Sequence, residues 1–233
     1  MAARIRIISS MATRQLLADL AALFQRASAH AVALESVGGV DAARRVQDGE
    51  AFDAVVLASD AIERLIAQGR VVRDSRVDLA RSGVSIAVRA GAARPDVASE
   101  AAVKHAVLAA ASVGYSTGPS GVQLTRLFER WGIADLIAPR LVQAPPGVPV
   151  GTLVAEGQVA LGFQQHSELM HLDGIDVLGP LPPPIEIITT FSAGVATASS
   201  QPEAVRAMLA FMASPAADQA KRNQGMAPAR WAP

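Results

Sequence analysis

Short apolar runs alternate with amphipathic stretches along most of the chain. Ile5 to Ser9 reads as a strand, and Met11 to Arg26 follows with Leu16, Leu17, Leu20, Leu23 and Phe24 at helical spacing. Ala31 to Leu34 predicts a second strand, after which Gly38-Gly39 precede a helix from Val40 to Gln47. Asp53 to Ala58 predicts a third, buried strand; Asp60 caps a helix through Ile62, Leu65 and Ile66 that ends at Gly69. Val84 to Val88 is a further strand. A second set follows: an alanine-rich helix from Ala98 to Ala111, a strand from Ser112 to Tyr115, a helix from Ser120 to Trp131, a shorter helix from Val148 to Glu156 and a strand from Gln158 to Gln164. Pro182-Pro183-Pro184 predicts an extended segment that opens onto Ile185 to Phe191 and then Gly194-Val195-Ala196. Helices from Pro202 to Met212 and from Pro215 to Asn223 close the pattern.

Alternating strands and helices define an α/β chain. Two long extended segments, Val84 to Val88 and Ile185 to Ala196, flank the middle third. They predict two lobes, with residues 1–84 plus 192–233 in lobe one and residues 85–191 in lobe two. A cleft between lobes is the expected place for a small ligand.

Composition narrows the function classes. The 233 residues are 51% hydrophobic and 18% charged, which suits a folded globular chain with a real core. Lys plus Arg equals Asp plus Glu at 21 each, so no basic excess points to nucleic acid and no polybasic run points to a membrane surface. No apolar run is long enough to span a bilayer. With Cys at 0, disulfides, thiolate metal sites and cysteine nucleophiles are excluded. Met1-Ala2-Ala3-Arg4 runs straight into the first strand without a secretory signal, so the chain as it stands reads as cytoplasmic, or periplasmic if a signal was removed.

The most informative local chemistry is Gly114-Tyr115-Ser116-Thr117-Gly118-Pro119-Ser120-Gly121, where a strand gives way to a helix. Glycine lets backbone approach a ligand, and Pro119 at a helix start has no N–H to leave unsatisfied. A helix start offers unpaired N–H groups and the positive end of a dipole, so the segment reads either as a compact anion seat, with Ser116, Thr117 and Ser120 as further donors, or as a plain capped turn. Ser9 and Ser10 end a strand before a helix and are open to capping or ligand roles. Tyr115 either lines the cleft or packs in the core. His166 follows Gln164-Gln165 and reads either as a structural or solvent-exposed histidine or, if the chain catalyses proton transfer, as the best titratable candidate near neutral pH, with Glu168 second and read as facing solvent. His171 lies five residues on, poor spacing for a shared helical metal site; no metal site and no cofactor are expected.

The order of these elements resembles the type II periplasmic binding proteins, above all the molybdate-binding group of transporter substrate-binding proteins. The resemblance runs over nearly the whole chain. It rests on Ala43-Arg44-Arg45-Val46-Gln47-Asp48-Gly49 with Phe52-Asp53, on Gly118-Pro119-Ser120-Gly121, on Pro149-Val150-Gly151-Thr152-Leu153-Val154 with Glu156-Gly157, and on Leu161-Gly162-Phe163. It implies a two-lobed fold and ligand contacts at Ser9, Ser10 and Met11, at Gly38 and Gly39, at Ser116, Thr117, Ser120 and Gly121, at Val150, and at Gln164 and Gln165. Molybdate binders resembling this chain carry serines in the second loop and a tyrosine in the last, where this sequence has Gly38-Gly39 and Gln165. Amides and glycine backbone suit a larger, planar or carboxylated anion. The implied function is binding of a small anion, a di- or tricarboxylate, with a transporter permease as partner only if the chain is exported. Some relatives of this fold resemble aconitate isomerase, which moves a double bond in a tricarboxylate, so a cofactor-free isomerase is the alternative and molybdate or tungstate binding the second alternative.

Overall fold

A computed structural model describes residues 2–229. In chain order the elements are β1 (Arg4–Ser10), α1 (Arg14–Ala27), β2 (Ala31–Val37), α2 (Gly39–Gln47), β3 (Ala54–Ala58), α3 (Ser59–Ala67), β4 (Val77–Arg89), α4 (Glu100–Ala109), β5 (Val113–Tyr115), α5 (Pro119–Arg130), α6 (Ala134–Ile137), β6 (Leu141–Gln143), α7 (Val150–Ala155), β7 (Leu161–Gln165), α8 (His166–Leu169), β8 (Ile175–Pro180), β9 (Ile188–Val195), α9 (Pro202–Ala213), α10 (Asp218–Asn223) and β10 (Ala227–Pro228). The chain divides into two compact units, Met1–Ser82 with Thr189–Pro233, and Gly83–Ile188. β4 and β9 each run from one unit into the other.

In the first unit β1 lies between β2 and β3, parallel to both, and β9 follows antiparallel to β3. Strand alternation sorts the apolar side chains into two layers. Ile5, Ile7 and Val56 meet Leu16, Leu17 and Leu20 of α1 and Met208, Leu209 and Met212 of α9. Ile8, Val55 and Leu57 point the other way, against Val46 of α2 and Ile62 and Leu65 of α3. Ile5, Ile7 and Ile8 are at most 1% exposed, each contributing about 1.5–3 kcal/mol of burial.

The second unit repeats the logic around different connections. β5 lies between β6 and β7, parallel to both, while β4 runs antiparallel to β7 and β8. Val84, Ile86, Leu161 and Phe163 face Val103 and Val107 of α4 and Leu124 and Phe128 of α5. On the opposite face α7 lies almost flush on the sheet. An added Cβ at Gly114 would come 3.0 Å from Val150 Cγ1 and one at Gly162 2.5 Å from Val154 Cγ2, so only glycine lets this helix come so near.

Several boundaries differ from the sequence reading. A single 3₁₀ turn, Met11–Thr13, precedes α1, and the Thr13 hydroxyl donates to the Ser10 carbonyl at 3.1 Å. Asp60 sits in the first turn of α3 and pairs with Arg64 at 2.8 Å, while the cap position is Ala58. The triple proline is not extended throughout: Pro183–Ile185 forms a 3₁₀ turn and β9 begins at Ile188. Proline fixes φ near −65°, a value that serves a 3₁₀ turn as well as an extended chain. β4 is 13 residues long, because exposed Asp78 and Arg81 break its apolar pattern without ending its pairing.

Candidate functional site

Each unit gathers loops and helix starts at the carboxyl ends of its parallel strands, where α/β sheets present their ligand-facing edge. In the first unit β1 ends at Ser10 and β2 at Val37, which are register partners. Ser9 Oγ lies 2.8 Å from Ser36 Oγ, its register partner on β2. Ser9 and Thr13 both hydrogen-bond the Ser10 carbonyl oxygen, which fixes the peptide leading into Met11. The Ser10 side chain stands beside Gly39 at the start of α2; a Cβ on Gly39 would lie 3.5 Å from Ser10 Cβ. Ser10 is 8% exposed, and its hydroxyl has no hydrogen-bond partner among the described residues. A buried hydroxyl without a partner beside a helix N-terminus is a group able to donate to an anion.

The second unit brings together the ends of β5, β6 and β7. Tyr115 ends β5 and packs against the core on one side. Ser116 Oγ lies 3.4 Å from Ser120 Oγ, so the two hydroxyls sit together at the start of α5. Gly121 is required by this turn: a Cβ there would lie 1.8 Å from the Ser116 carbonyl oxygen. Thr117 and Gly118 complete the loop, with Gly118 at the cap position and Pro119 at the first helical position. Val150, at the start of α7, is fully buried with its side chain against Gly114 and Gly162. Gln164 is buried, and its Oε1 accepts the Gly151 N–H at 3.0 Å, capping the start of α7 from within the protein. Gln165 is buried at the end of β7, directly before His166.

Two titratable groups stand on α8. His166 Nδ1 is 3.1 Å from the hydroxyl of buried Ser85. Burial holds the imidazole below its ordinary pKa, and the nearby His171 adds to the effect. Glu168 does not project freely into solvent as expected from its short helical turn. Burial pushes its carboxyl up to about 7, against an opposing hydrogen bond from Gln164. A neutral imidazole and a carboxyl that titrates near neutrality are each groups able to move protons.

The structure therefore collects Ser9, Ser10, Met11, Gly38 and Gly39 at one edge of the first unit, and Ser116, Thr117, Ser120, Gly121, Val150, Gln164, Gln165 and His166 at one edge of the second. Sequence reasoning passed over Ser36 and Ser85. Ser36 was readable as a hydroxyl just before Val37-Gly38-Gly39, whereas Ser85 becomes visible only through pairing with β7. Arg14, Arg89 and Arg94 are exposed. No group of three or more His, Asp and Glu side chains able to hold a metal occurs among the described residues, and no helix among them is long and apolar enough to cross a membrane.

This architecture is the fold of the periplasmic binding proteins. It superposes with a TM-score of 0.80 on the periplasmic molybdate-binding protein of Azotobacter vinelandii at 18% identity, over 97% of this chain and 100% of that one. The sulfate-binding protein of Mycobacterium tuberculosis aligns with a TM-score of 0.78 at 16% identity, over 97% of this chain and 87% of that one. Residues 5–227 match the family described as bacterial extracellular solute-binding protein, and the chain belongs to that family. It is also 40% identical to an aconitate isomerase of a Pseudomonas species over 187 residues, which are 79% of this chain and 70% of that protein.

Proposed function

We propose that this protein binds a small polycarboxylate and isomerises it by shifting a double bond. The observation that carries the reading is the placement of His166 and Glu168 at the same sheet edge as the Ser116 to Gly121 seat, in a chain 40% identical to an aconitate isomerase. The seat at the start of α5 takes a carboxylate, with N–H groups and the Ser116 and Ser120 hydroxyls as donors. His166, kept neutral by burial, is the base. It takes a proton from the methylene carbon next to the double bond. The electron pair of that C–H bond spreads through the allylic system onto carboxylate oxygens, where helix N–H groups stabilise the growing charge. A proton then joins the far allylic carbon, the double bond moves by one position, and the formula is unchanged.

The second reading is binding alone, and the anion-binding solved structures of the same fold favour it. Under that reading an exported form would hand its ligand to a transporter permease, and molybdate or tungstate is the alternative guest. Thermal melting with tricarboxylates, dicarboxylates, sulfate and molybdate separates these cases, because a ligand of the native state raises the melting temperature. The isomerase reading expects stabilisation by a tricarboxylate such as aconitate, with deuterium from heavy water entering ligand carbon. Stabilisation without deuterium uptake leaves a binding protein. Stabilisation by molybdate alone rejects the carboxylate.

A further inference from the structure

We infer that Ser85 is the positioning residue of His166: from the strand beside β7 it holds Nδ1 of the ring, orients the imidazole and leaves Nε2 as the atom that meets a ligand. This rests on the isomerase reading above. Ser85 stands within Val84-Ser85-Ile86-Ala87-Val88, an apolar segment of β4, and is 0% exposed. A hydroxyl in such a place costs desolvation unless it is bonded, a cost that alanine would not carry. Val84, Ile86 and Val88 point into the core under α4 and α5, so Ser85 points to the opposite face. Two register partners flank it there. Gln164 of β7 is committed at its Oε1, which accepts the Gly151 N–H at 3.0 Å. Pro180 of β8 has a side chain that neither donates nor accepts. The Ser85 hydroxyl reaches instead past the end of β7, to His166 Nδ1 at 3.1 Å and 81 positions along the chain.

The ring at the far end of this bond is placed for ligand contact. His166 opens α8 directly after the last residue of β7. β5, which leads into the Ser116 to Gly121 seat, pairs with β7 in parallel, with Gly114 beside Gly162. Adjacent strands lie about 5 Å apart, so the turn into α5 and the start of α8 leave the sheet from neighbouring strand ends. His166 is partly exposed. With Nδ1 drawn down to a fully buried hydroxyl, Nε2 is the nitrogen left for the open side.

A base at Nε2 needs its own proton on Nδ1, and the lone pairs of Ser85 Oγ receive that N–H. When Nε2 takes the methylene proton, a C–H bond breaks and an N–H bond forms. The electron pair passes into the allylic system of the ligand, and the Nδ1–H bond to Ser85 stays in place. Ser85 gives up no proton at any stage. A carboxylate in its position would orient the ring equally well but would strengthen its hold on the proton. The hydroxyl carries no charge, so the imidazolium releases its proton readily to the far allylic carbon.

The test is Ser85→Ala in the full chain, with aconitate as probe. Histidine labelled with nitrogen-15 shows by NMR which ring nitrogen carries the proton. The His166 signal, among those of the 4 histidines, is the one missing from His166→Gln. With the ring neutral and no ligand present, the parent should hold the proton on Nδ1, and Ser85→Ala should lose that preference. With aconitate, Ser85→Ala should keep the Kd of the parent within about threefold and lose about 10- to 100-fold in kcat, because the base is present but misplaced. A parent ring that carries its proton on Nε2 overturns the inference, whatever the variant does. So does a variant with the kcat of the parent, or one whose loss lies in binding instead of kcat. A parent with its proton on Nδ1 that fails to isomerise aconitate overturns the proposed function and leaves the placement of the ring standing. An active parent with an equally active variant overturns the role of Ser85 alone.

Discussion

The carboxyl-end sheet edges of the two units are built on one plan and filled with different chemistry. Both place three parallel strand ends before helix starts, and both carry hydroxyls there: Ser9, Ser10 and Ser36 in the first, Ser116 and Ser120 in the second. The first edge stops at that. Its nearby charge is locked away, with Arg45 of α2 bonded to Glu35 and Glu50 and stacked over Phe52. The second edge adds His166 and Glu168, both displaced from their ordinary pKa values by burial. Hydrogen-bond donors suffice to hold an anion, but proton transfer needs groups that titrate near working pH. Under the proposed function the contrast assigns the first unit a holding role and the second both holding and chemistry.

The same substitution in the two edges sharpens the comparison most. Gly121→Ala puts a Cβ 1.8 Å from the Ser116 carbonyl oxygen, a backbone atom that cannot swing aside. It should destabilise the fold by about 3 kcal/mol and abolish ligand-induced stabilisation. Gly39→Ala meets only Ser10 Cβ, at the ordinary contact distance of 3.5 Å, and should change stability by less than about 0.5 kcal/mol. Urea unfolding of the two variants with and without tricarboxylate checks both. Equal losses would mean that the turn before α5 has no special tightness.

These two glycines also show how far the sequence could be read. Gly118-Pro119-Ser120-Gly121 and Gly38-Gly39 stand out because turn chemistry is local: the residues that make the bend are the ones that carry the signal. The parallel core strands were legible for the same reason, since Ile5, Ile7 and Ile8 crowd around the single charged Arg6 and Val55 to Leu57 is a continuous apolar run. Glu168 was legible only as a second candidate facing solvent; its burial was not. Its burial depends on β4 and β7 meeting across some eighty positions of chain, as Ser85 and His166 do, and nothing near Glu168 announces that. α8 has four residues, too few for a helical period to show. β8 reads Ile175-Asp176-Val177-Leu178-Gly179-Pro180 and hides among turn residues, although it pairs with β4 over Ser85 to Arg89.

Glu168 gives the next effect. Its carboxyl titrates at about 7 in the fold against 4.5 for the free side chain. A carboxyl raised on folding favours the native state while protonated in both states, and that favour is lost as pH rises from about 4.5 through about 7. Above that window the fold holds a charge it would rather not bury. Glu168→Gln removes the charge, so the variant should be more stable than the parent at pH 8 by on the order of 2 kcal/mol and equal to it at pH 4. Thermal melts across pH measure the difference. A parent that is the more stable at pH 8 would mean that Glu168 is a stabilising surface carboxylate, and the second edge would lose half of its distinction.

The smallest effect lies at Ser10, and its sign matters more than its size. The hydroxyl is buried without a partner among the described residues, so in the empty protein it carries a desolvation penalty with nothing in return. Ser10→Ala should leave the empty fold unchanged or more stable by up to about 1 kcal/mol. With ligand the order reverses, because the parent satisfies its hydroxyl on the anion, and affinity should fall about tenfold in the variant. Ser120→Ala behaves differently, since Ser120 Oγ already meets Ser116 Oγ at 3.4 Å and the empty fold loses that contact. Calorimetric titration and melting of both variants read the two signs together. If Ser10→Ala weakens the empty fold by as much as Ser120→Ala and leaves affinity intact, the Ser10 hydroxyl is a structural group, and ligand recognition belongs to the second edge.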